Sequence, residues 1–128
     1  GMKRLQVLAE DAGALQTKIH PGCAAHTPLM ESARESLGRV LKEVAPRMRP
    51  PMCDVYINVT GEPVRRGANP RNLVKFILSQ LTEPVLWDTC VKNMVLAGIE
   101  KFYELGPRSQ LKQMMKRIDA AAYEKTEC

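Results

Sequence analysis

The sequence is poor in aromatic residues and lacks long apolar runs and clustered cysteines. It has one Trp, three Tyr and two Phe among 128 residues, too few to favour a surface that stacks nucleic-acid bases. No stretch of about 18 apolar residues is present, so no membrane-spanning helix is predicted. The four cysteines, Cys23, Cys53, Cys90 and Cys128, are far apart, which rules out a C-x-x-C metal or redox motif. We expect reduced thiols and an intracellular compartment.

Phosphate-binding loops and a nucleophile motif are also missing from the sequence. Neither G-x-x-x-x-G-K nor G-x-G-x-x-G occurs. A serine nucleophile of the α/β-hydrolase type needs G-x-S-x-G, and the nearest imitation, Ser36-Leu37-Gly38, has Arg34 in place of the first glycine. Ser36 also falls inside an amphipathic pattern, so we interpret it as a helix surface residue. No metal site and no cofactor are expected.

What is present favours one globular domain. The chain is 45% hydrophobic, a normal proportion for a folded domain of this length. No charged-then-apolar leader opens it. Gly1 before Met2 is interpreted as a residue left by tag cleavage and is set aside.

Periodicity predicts helices and strands in alternation. Helices are expected over 3–11, from a Thr27 cap with Pro28 to Val44, over 70–81 after an Asn69 cap, from Thr82 to Gly98, and over 109–118. Strands are expected over 15–20, 54–59 and 99–105, with loop over 61–69 and a weakly patterned tail from Asp119. The order predicts an α/β architecture with a largely parallel sheet. A parallel sheet of only two or three strands is unusually narrow, which indicates that the chain is part of a larger fold.

Positive charge is concentrated in the middle of the chain. The net charge is +5, and residues 39–75 hold eight basic side chains against three acidic ones. A basic zone suggests an acidic partner, whether nucleic acid, acidic protein or a phosphorylated ligand. A solvated surface is the alternative.

Two histidines are the remaining candidates for chemistry. His20 ends a predicted strand and is given no role. His26 stands one step before the Thr27-Pro28 helix start, where a neutral imidazole could act as a general base. A histidine that only hydrogen-bonds at a helix start is the alternative interpretation.

Four blocks of the sequence resemble one family in order and spacing. Residues 23–30, C-A-A-H-T-P-L-M, resemble the G-A-F-H-[ST]-x-L-M block of malonyl-CoA:acyl-carrier-protein transacylases. Residues 56–60 (Y-I-N-V-T), 79–87 (S-Q-L-T-E-P-V-L-W) and 102–107 (F-Y-E-L-G-P) resemble its S-N-V-T, R-Q-L-x-x-P-V-x-W and F-x-E-x-G-P blocks. Lys116-Arg117-Ile118 is similar to a late basic segment.

The resemblance implies an incomplete copy of the family fold. We expect an α/β fold that is the C-terminal part of an α/β-hydrolase-like acyltransferase plus the end of its ferredoxin-like small subdomain. Residues 1–28 would be the remnant of the small subdomain and residues 29–128 part of the large one. The nucleophile serine, the oxyanion-hole glutamine and the arginine that grips the malonyl carboxylate belong to earlier blocks of the family.

The resemblance also assigns the site residues. It implies ping-pong transfer of malonyl from coenzyme A through the serine to acyl carrier protein. His26 matches the general base, and the backbone carbonyl of Gln80 matches the acceptor that orients it. Asn58 matches an asparagine for which we expect structural support of the site. Ala25 replaces a phenylalanine that narrows the acyl pocket, which leaves open a polyketide synthase acyltransferase with a bulkier extender unit.

The resemblance gives the basic zone an interpretation, since acyl carrier proteins are acidic. The candidates for contact are Arg47, Arg49, Arg65, Arg66, Arg108 and Lys116. Alternatives are an interaction domain that docks carrier protein and, from charge alone, a nucleic-acid-binding module. The compartment would be the cytoplasm, or a plastid or mitochondrion in a eukaryote. Uncovered sheet edges and helix faces predict self-association.

Overall fold

A computed structural model describes residues 1–19, 22 and 24–128. The predicted end of the first strand at His20, the turn residue Pro21 and the block residue Cys23 lie outside them. The helices are α1 (Met2–Asp11), α2 (Glu31–Val44), α3 (Arg71–Ser79), α4 (Trp87–Leu96), α5 (Gln110–Ile118) and α6 (Ala120–Glu124). The strands are β1 (Val55–Tyr56), β2 (Pro63–Val64), β3 (Phe102–Tyr103) and β4 (Thr126–Glu127).

The predicted helices α1, α2, α3 and α5 are confirmed within two or three residues at their ends. A short 3₁₀ turn, Pro28–Met30, leads into α2. The Asn69 cap before α3 is confirmed, because the Asn69 side-chain oxygen accepts the Arg71 N–H at 3.0 Å. The Thr27 cap is wrong: its side chain makes no capping bond, and its hydroxyl donates to the Ala24 carbonyl at 2.6 Å instead.

A cluster of buried side chains lies in the C-terminal third, on α4, α5 and α6. Val91, Met115 and Ala122 are 1%, 3% and 4% exposed. Partly buried apolar side chains pack around them: Trp87, Val95, Phe102, Ile118 and Tyr123. The buried Thr126 hydroxyl donates to the Ala122 carbonyl at 2.7 Å, so this polar group is satisfied inside the core.

The prediction of a largely parallel sheet is wrong for the part of the chain that is described. β1 and β2 form an antiparallel pair, with Val55 opposite Val64. β3 and β4 form a separate parallel pair, with Phe102 opposite Thr126. Residues 15–19 form no strand, and the loop predicted over 61–69 contains β2. Strand pairing depends on partners distant in sequence, which local alternation does not show.

The tail from Asp119 is ordered into α6 and β4, against expectation. The Asp119 carboxylate accepts the Ala122 N–H at 2.8 Å and caps α6. β4 then pairs with β3, which lies more than twenty residues earlier. The cap is a local signal, whereas the strand pairing is not.

The helix predicted from Thr82 begins only at Trp87. Residues 80–86 instead form a loop that turns back on α3, since the Ser79 carbonyl accepts the N–H groups of Thr82 and Glu83 at 3.1 and 2.9 Å. Three free cysteines are described, Cys53, Cys90 and Cys128. No described helix has the length and apolar character needed to cross a membrane.

Candidate active site

His26 occupies an unusual backbone position. Its φ is +61°, and no other non-glycine among the described residues has a positive φ. A left-handed backbone costs a non-glycine residue about 1–2 kcal/mol, and such strain is frequent at functional sites. The strained turn is held against the segment after α3, because the His26 N–H donates to the Leu81 carbonyl at 3.0 Å.

The His26 ring is bound through one nitrogen to a carbonyl on that same segment. Its Nδ1 lies 2.6 Å from the backbone oxygen of Gln80, and the side chain is exposed. A carbonyl can only accept, so Nδ1 must be the protonated nitrogen in this contact. The other nitrogen, Nε2, is then left with a free lone pair when the ring is neutral, as a general base requires.

The segment that binds His26 is itself anchored to β1. The Leu86 N–H donates to the Asn58 backbone carbonyl at 2.6 Å, which fixes the far end of the 80–86 loop. The Asn58 side-chain oxygen is buried and has no hydrogen-bond partner among the described residues. Asn58 thus supports the loop through its main chain.

A tight turn below the loop ties β1 to α4. The Ile57 carbonyl accepts the Gly61 N–H at 2.7 Å and the Cys90 thiol at 3.6 Å. The Gly61 carbonyl accepts the Asn93 side-chain amide at 3.0 Å. Burial raises the pKa of the Cys90 thiol, so Cys90 is a packing residue and not a nucleophile.

The other predicted site residue, Ala25, is exposed in the turn that also contains His26. Among residues 1–19, 22 and 24–128, no cluster of three metal-binding side chains is present.

One basic candidate residue, Arg47, lies far from His26. Arg47 follows the C-terminal end of α2, and His26 precedes its N-terminal end, so the 14 residues of α2 separate them by about 20 Å. A guanidinium nitrogen of Arg65 lies 2.7 Å from a carboxylate oxygen of Asp54, so the two side chains form an ion pair. The pKa of Asp54 is lowered, first by the Arg66 N–H and then by Arg65. The Arg66 side chain is exposed and forms no ion pair with any of the described residues.

Two features of the site were missed at the level of sequence. The Leu81 carbonyl receives the His26 main chain, and the Thr27 hydroxyl closes the turn. The signal for Thr27 was present, because a threonine before a proline helix start is either a cap or a turn residue. Nothing local distinguishes the two.

Comparisons with known proteins find relatives of one named kind. No protein-family model matches the chain. A Drosophila melanogaster protein named as a probable mitochondrial malonyl-CoA-acyl carrier protein transacylase is 33% identical over 103 residues, covering 77% of this chain and 26% of that protein. The mitochondrial malonyl-CoA-acyl carrier protein transacylase of Homo sapiens is 31% identical, covering 84% of this chain and 28% of that protein.

Solved structures show the same likeness. The malonyl-CoA:acyl carrier protein transacylase of Xanthomonas oryzae has a TM-score of 0.78 and 28% identity, covering 94% of this chain and 37% of that chain. A malonyl-transacylase solved in complex with a type II polyketide synthase acyl-carrier protein has a TM-score of 0.82. Its identity is 23%, over 98% of this chain and 38% of that chain, which supports the fold alone.

The fold is therefore part of an acyltransferase fold. Over most of its length the chain is similar to malonyl-CoA-acyl carrier protein transacylases. It spans between 26% and 38% of the length of the relatives described above.

Proposed function

We propose that this chain is the C-terminal part of a malonyl-CoA:acyl-carrier-protein transacylase in which His26 is the general base. The single observation that supports it most is the 2.6 Å contact between His26 Nδ1 and the Gln80 carbonyl. When the ring is neutral, that contact places the proton on Nδ1 and leaves Nε2 with a free lone pair, in an exposed side chain within a strained turn. The same proposal divides the chain into residues 1–28, the remnant of the small subdomain, and residues 29–128, part of the large subdomain.

The chemistry assigned to His26 is proton transfer. Nε2 removes the proton from a serine hydroxyl as that oxygen attacks the thioester carbonyl of malonyl-CoA. The imidazolium then returns the proton to the departing coenzyme A thiolate, leaving a malonyl-serine ester. In the second half, Nε2 takes the proton from the carrier's phosphopantetheine thiol, and the thiolate attacks the ester carbonyl. The ester bond to the serine oxygen breaks, and the imidazolium returns its proton to that oxygen, which regenerates the serine hydroxyl and the neutral imidazole. The Gln80 carbonyl stabilises the imidazolium formed in each half.

The nucleophile in this scheme comes from outside the chain. Its four serines, Ser32, Ser36, Ser79 and Ser109, lie in no G-x-S-x-G motif. Because a base without a nucleophile forms no acyl-enzyme, we expect the chain alone to be inactive. A stopped-flow assay with malonyl-CoA should show no burst of coenzyme A, and a burst equal to the protein concentration would overturn this.

The acyl group is set partly by Ala25. Since Ala25 precedes His26 and has a side chain smaller than the phenylalanine that the resemblance predicts there, the proposal includes acyl groups bulkier than malonyl, as a polyketide synthase acyltransferase would use. A transacylase containing this chain should accept methylmalonyl-CoA, and Ala25→Phe should reduce that activity while sparing malonyl-CoA. Equal loss with both substrates would contradict a role in specificity.

Carrier docking draws on the positive charge described above. Of the candidate residues, Arg65 is engaged by Asp54, so Arg66, Arg47 and Arg49 have more free charge to offer an acidic carrier.

We infer an intracellular location, since two relatives are named as mitochondrial proteins.

The test of the proposal is a pair of substitutions in a transacylase that contains this chain. His26→Ala should lower the transfer rate by about 10²–10⁴-fold, the usual contribution of general acid–base catalysis. Gln80→Ala is the matched control, because the contact uses the main-chain oxygen and the substitution keeps it. Normal turnover of His26→Ala would remove His26 as the base.

A further inference from the structure

We propose that Thr27 is a positioning residue, whose hydroxyl closes the 24–27 turn and thereby sets the orientation and tautomer of the His26 ring. The inference rests on the proposed function in one respect: the tautomer matters for catalysis only if His26 is the general base. The hydrogen bonds themselves are properties of the chain.

The turn has a geometry that histidine adopts reluctantly. His26 is the third residue of the segment from Ala24 to Thr27 and has φ of +61°. A positive φ at the third residue of a four-residue turn normally selects glycine or asparagine. Another interaction must therefore hold the turn when histidine stands there.

The Thr27 hydroxyl supplies that interaction. It donates to the Ala24 carbonyl at 2.6 Å, and the contact is partly buried. The bond joins the fourth residue of the turn to the carbonyl of the first, which are the residues that a backbone bond usually joins in a β-turn. Threonine hydroxyls form such local bonds in competition with helix capping.

A structural role as helix cap is the competing explanation for Thr27. It stands directly before the 3₁₀ turn Pro28–Met30, but its side chain makes no capping bond there. Its hydroxyl proton is directed back to Ala24. Removing the hydroxyl should thus disturb the His26 turn more than the start of α2.

The turn controls the ring because His26 is fixed at two points of the next segment. Its N–H is held by the Leu81 carbonyl at 3.0 Å, and its Nδ1 by the Gln80 carbonyl at 2.6 Å. With the main-chain nitrogen fixed, a return of φ to negative values swings the ring away from Gln80. Nδ1 then loses its acceptor, and the proton is free to reside on Nε2.

The experiment measures the His26 tautomer in this chain by ¹⁵N NMR of the ring nitrogens, at about pH 8.5, above the range where imidazoles usually titrate. In the unsubstituted chain we expect the Nδ1 signal of a protonated nitrogen and the Nε2 signal of an unprotonated one. Thr27→Val keeps the shape and removes the hydroxyl, so the two signals should move toward each other as both tautomers become populated. Thr27→Ser should restore the original pattern.

A matched control is Thr17→Val, which removes a hydroxyl that bonds to Glu10 on α1. It should leave the His26 signals unchanged. The proposal is overturned if Thr27→Val keeps the original tautomer while its amide spectrum shows an intact fold, or if Thr27→Ser fails to restore it. If Thr27→Val unfolds the chain, Thr27→Ala takes its place as the variant without a hydroxyl, and the original tautomer in a folded Thr27→Ala overturns the proposal.

Failure of this inference is distinct from failure of the proposed function. The tautomer is read without any acyl transfer. If His26→Ala left transfer unchanged but Thr27→Val altered the tautomer, the catalytic role would fall and the positioning role would stand. In an active transacylase, Thr27→Val should lower kcat about tenfold with little change in KM, as small misplacements of a catalytic group do.

Discussion

The N-terminal helix and the C-terminal third use their apolar residues in opposite ways. α1 buries none of its residues, and its Leu5 and Leu8 are 58% and 54% exposed. In the segment from α4 to β4, Val91 and Met115 are 1% and 3% exposed. Both regions have an amphipathic pattern, but only the second has partners within the chain. An apolar stripe therefore predicts that a surface will be covered, and says nothing of whether the cover lies in the same chain.

The largest expected difference in the free energy of unfolding comes from replacing a methionine with alanine in each of the two regions. Met115→Ala should lower the free energy of unfolding by about 3–4 kcal/mol, because it removes a buried side chain and leaves a cavity. Met2→Ala, at a residue 62% exposed, should change it by no more than about 0.5 kcal/mol. Urea denaturation of the two variants measures the difference. Similar losses in both would mean that α1 is packed in solution.

Glycine substitutions sharpen the comparison at backbone level. A Cβ on Gly61 would lie 2.5 Å from the Thr89 Cγ2 atom, at a φ of +72°. Gly61→Ala should thus cost about 2–3 kcal/mol in free energy of unfolding. Gly13, after α1, has a similar φ of +83° but open space around it, and Gly13→Ala should cost about 1 kcal/mol from the backbone alone. Thermal unfolding of both variants separates the steric cost from the conformational one.

The exposed face of α1 predicts that copies of this chain associate. Light scattering should show a mass above 14.3 kDa that rises with concentration, since uncovered apolar surface favours contact. Replacing Leu5 and Leu8 with serine should lower the measured mass. A monomer at high concentration in the unsubstituted chain would contradict the expectation.

The smallest effect concerns a helix start in the C-terminal third. The Glu104 carboxylate accepts the Leu111 and Lys112 N–H groups at 3.0 and 2.8 Å, and these bonds lower the pKa of Glu104 from its ordinary 4.5. A lowered pKa stabilises the folded state above about pH 4.5, and that contribution is lost as the pH falls through the folded-state value. The Tm of the unsubstituted chain should fall more between pH 5 and about 3 than that of Glu104→Gln. Glu100→Gln is the control, because the Glu100 carboxylate forms no hydrogen bond with any of the described residues.

Prediction from sequence was strongest where the signal was local. The helix from Glu31 to Val44 and the Asn69 cap followed from spacing and side-chain chemistry. It was weakest where distant segments meet. Local patterning predicts a loop where β2 lies and an unpatterned tail where β4 lies, because each strand is two residues long and is defined only by its partner strand.

The candidate site divides in the same way. The block around His26 identified the residue from sequence, and the resemblance pointed to the Gln80 carbonyl. Its role in catalysis stays a prediction. The second carbonyl, Leu81, and the direction of the Thr27 hydroxyl could not be read from spacing, because they depend on how the loop after α3 meets the turn before α2.

The sequence by itself determined helices α1, α2, α3 and α5, the charge distribution and which histidine deserves study, because helical periodicity, capping and composition depend on neighbouring residues. Only the tertiary structure decided that the imidazole presents Nε2, that Asp54 pairs with Arg65, and that Arg47 lies about a helix length away from His26. These facts arise from contacts between residues far apart in the chain. Their free energy depends on distance in space, which the order of residues alone does not give.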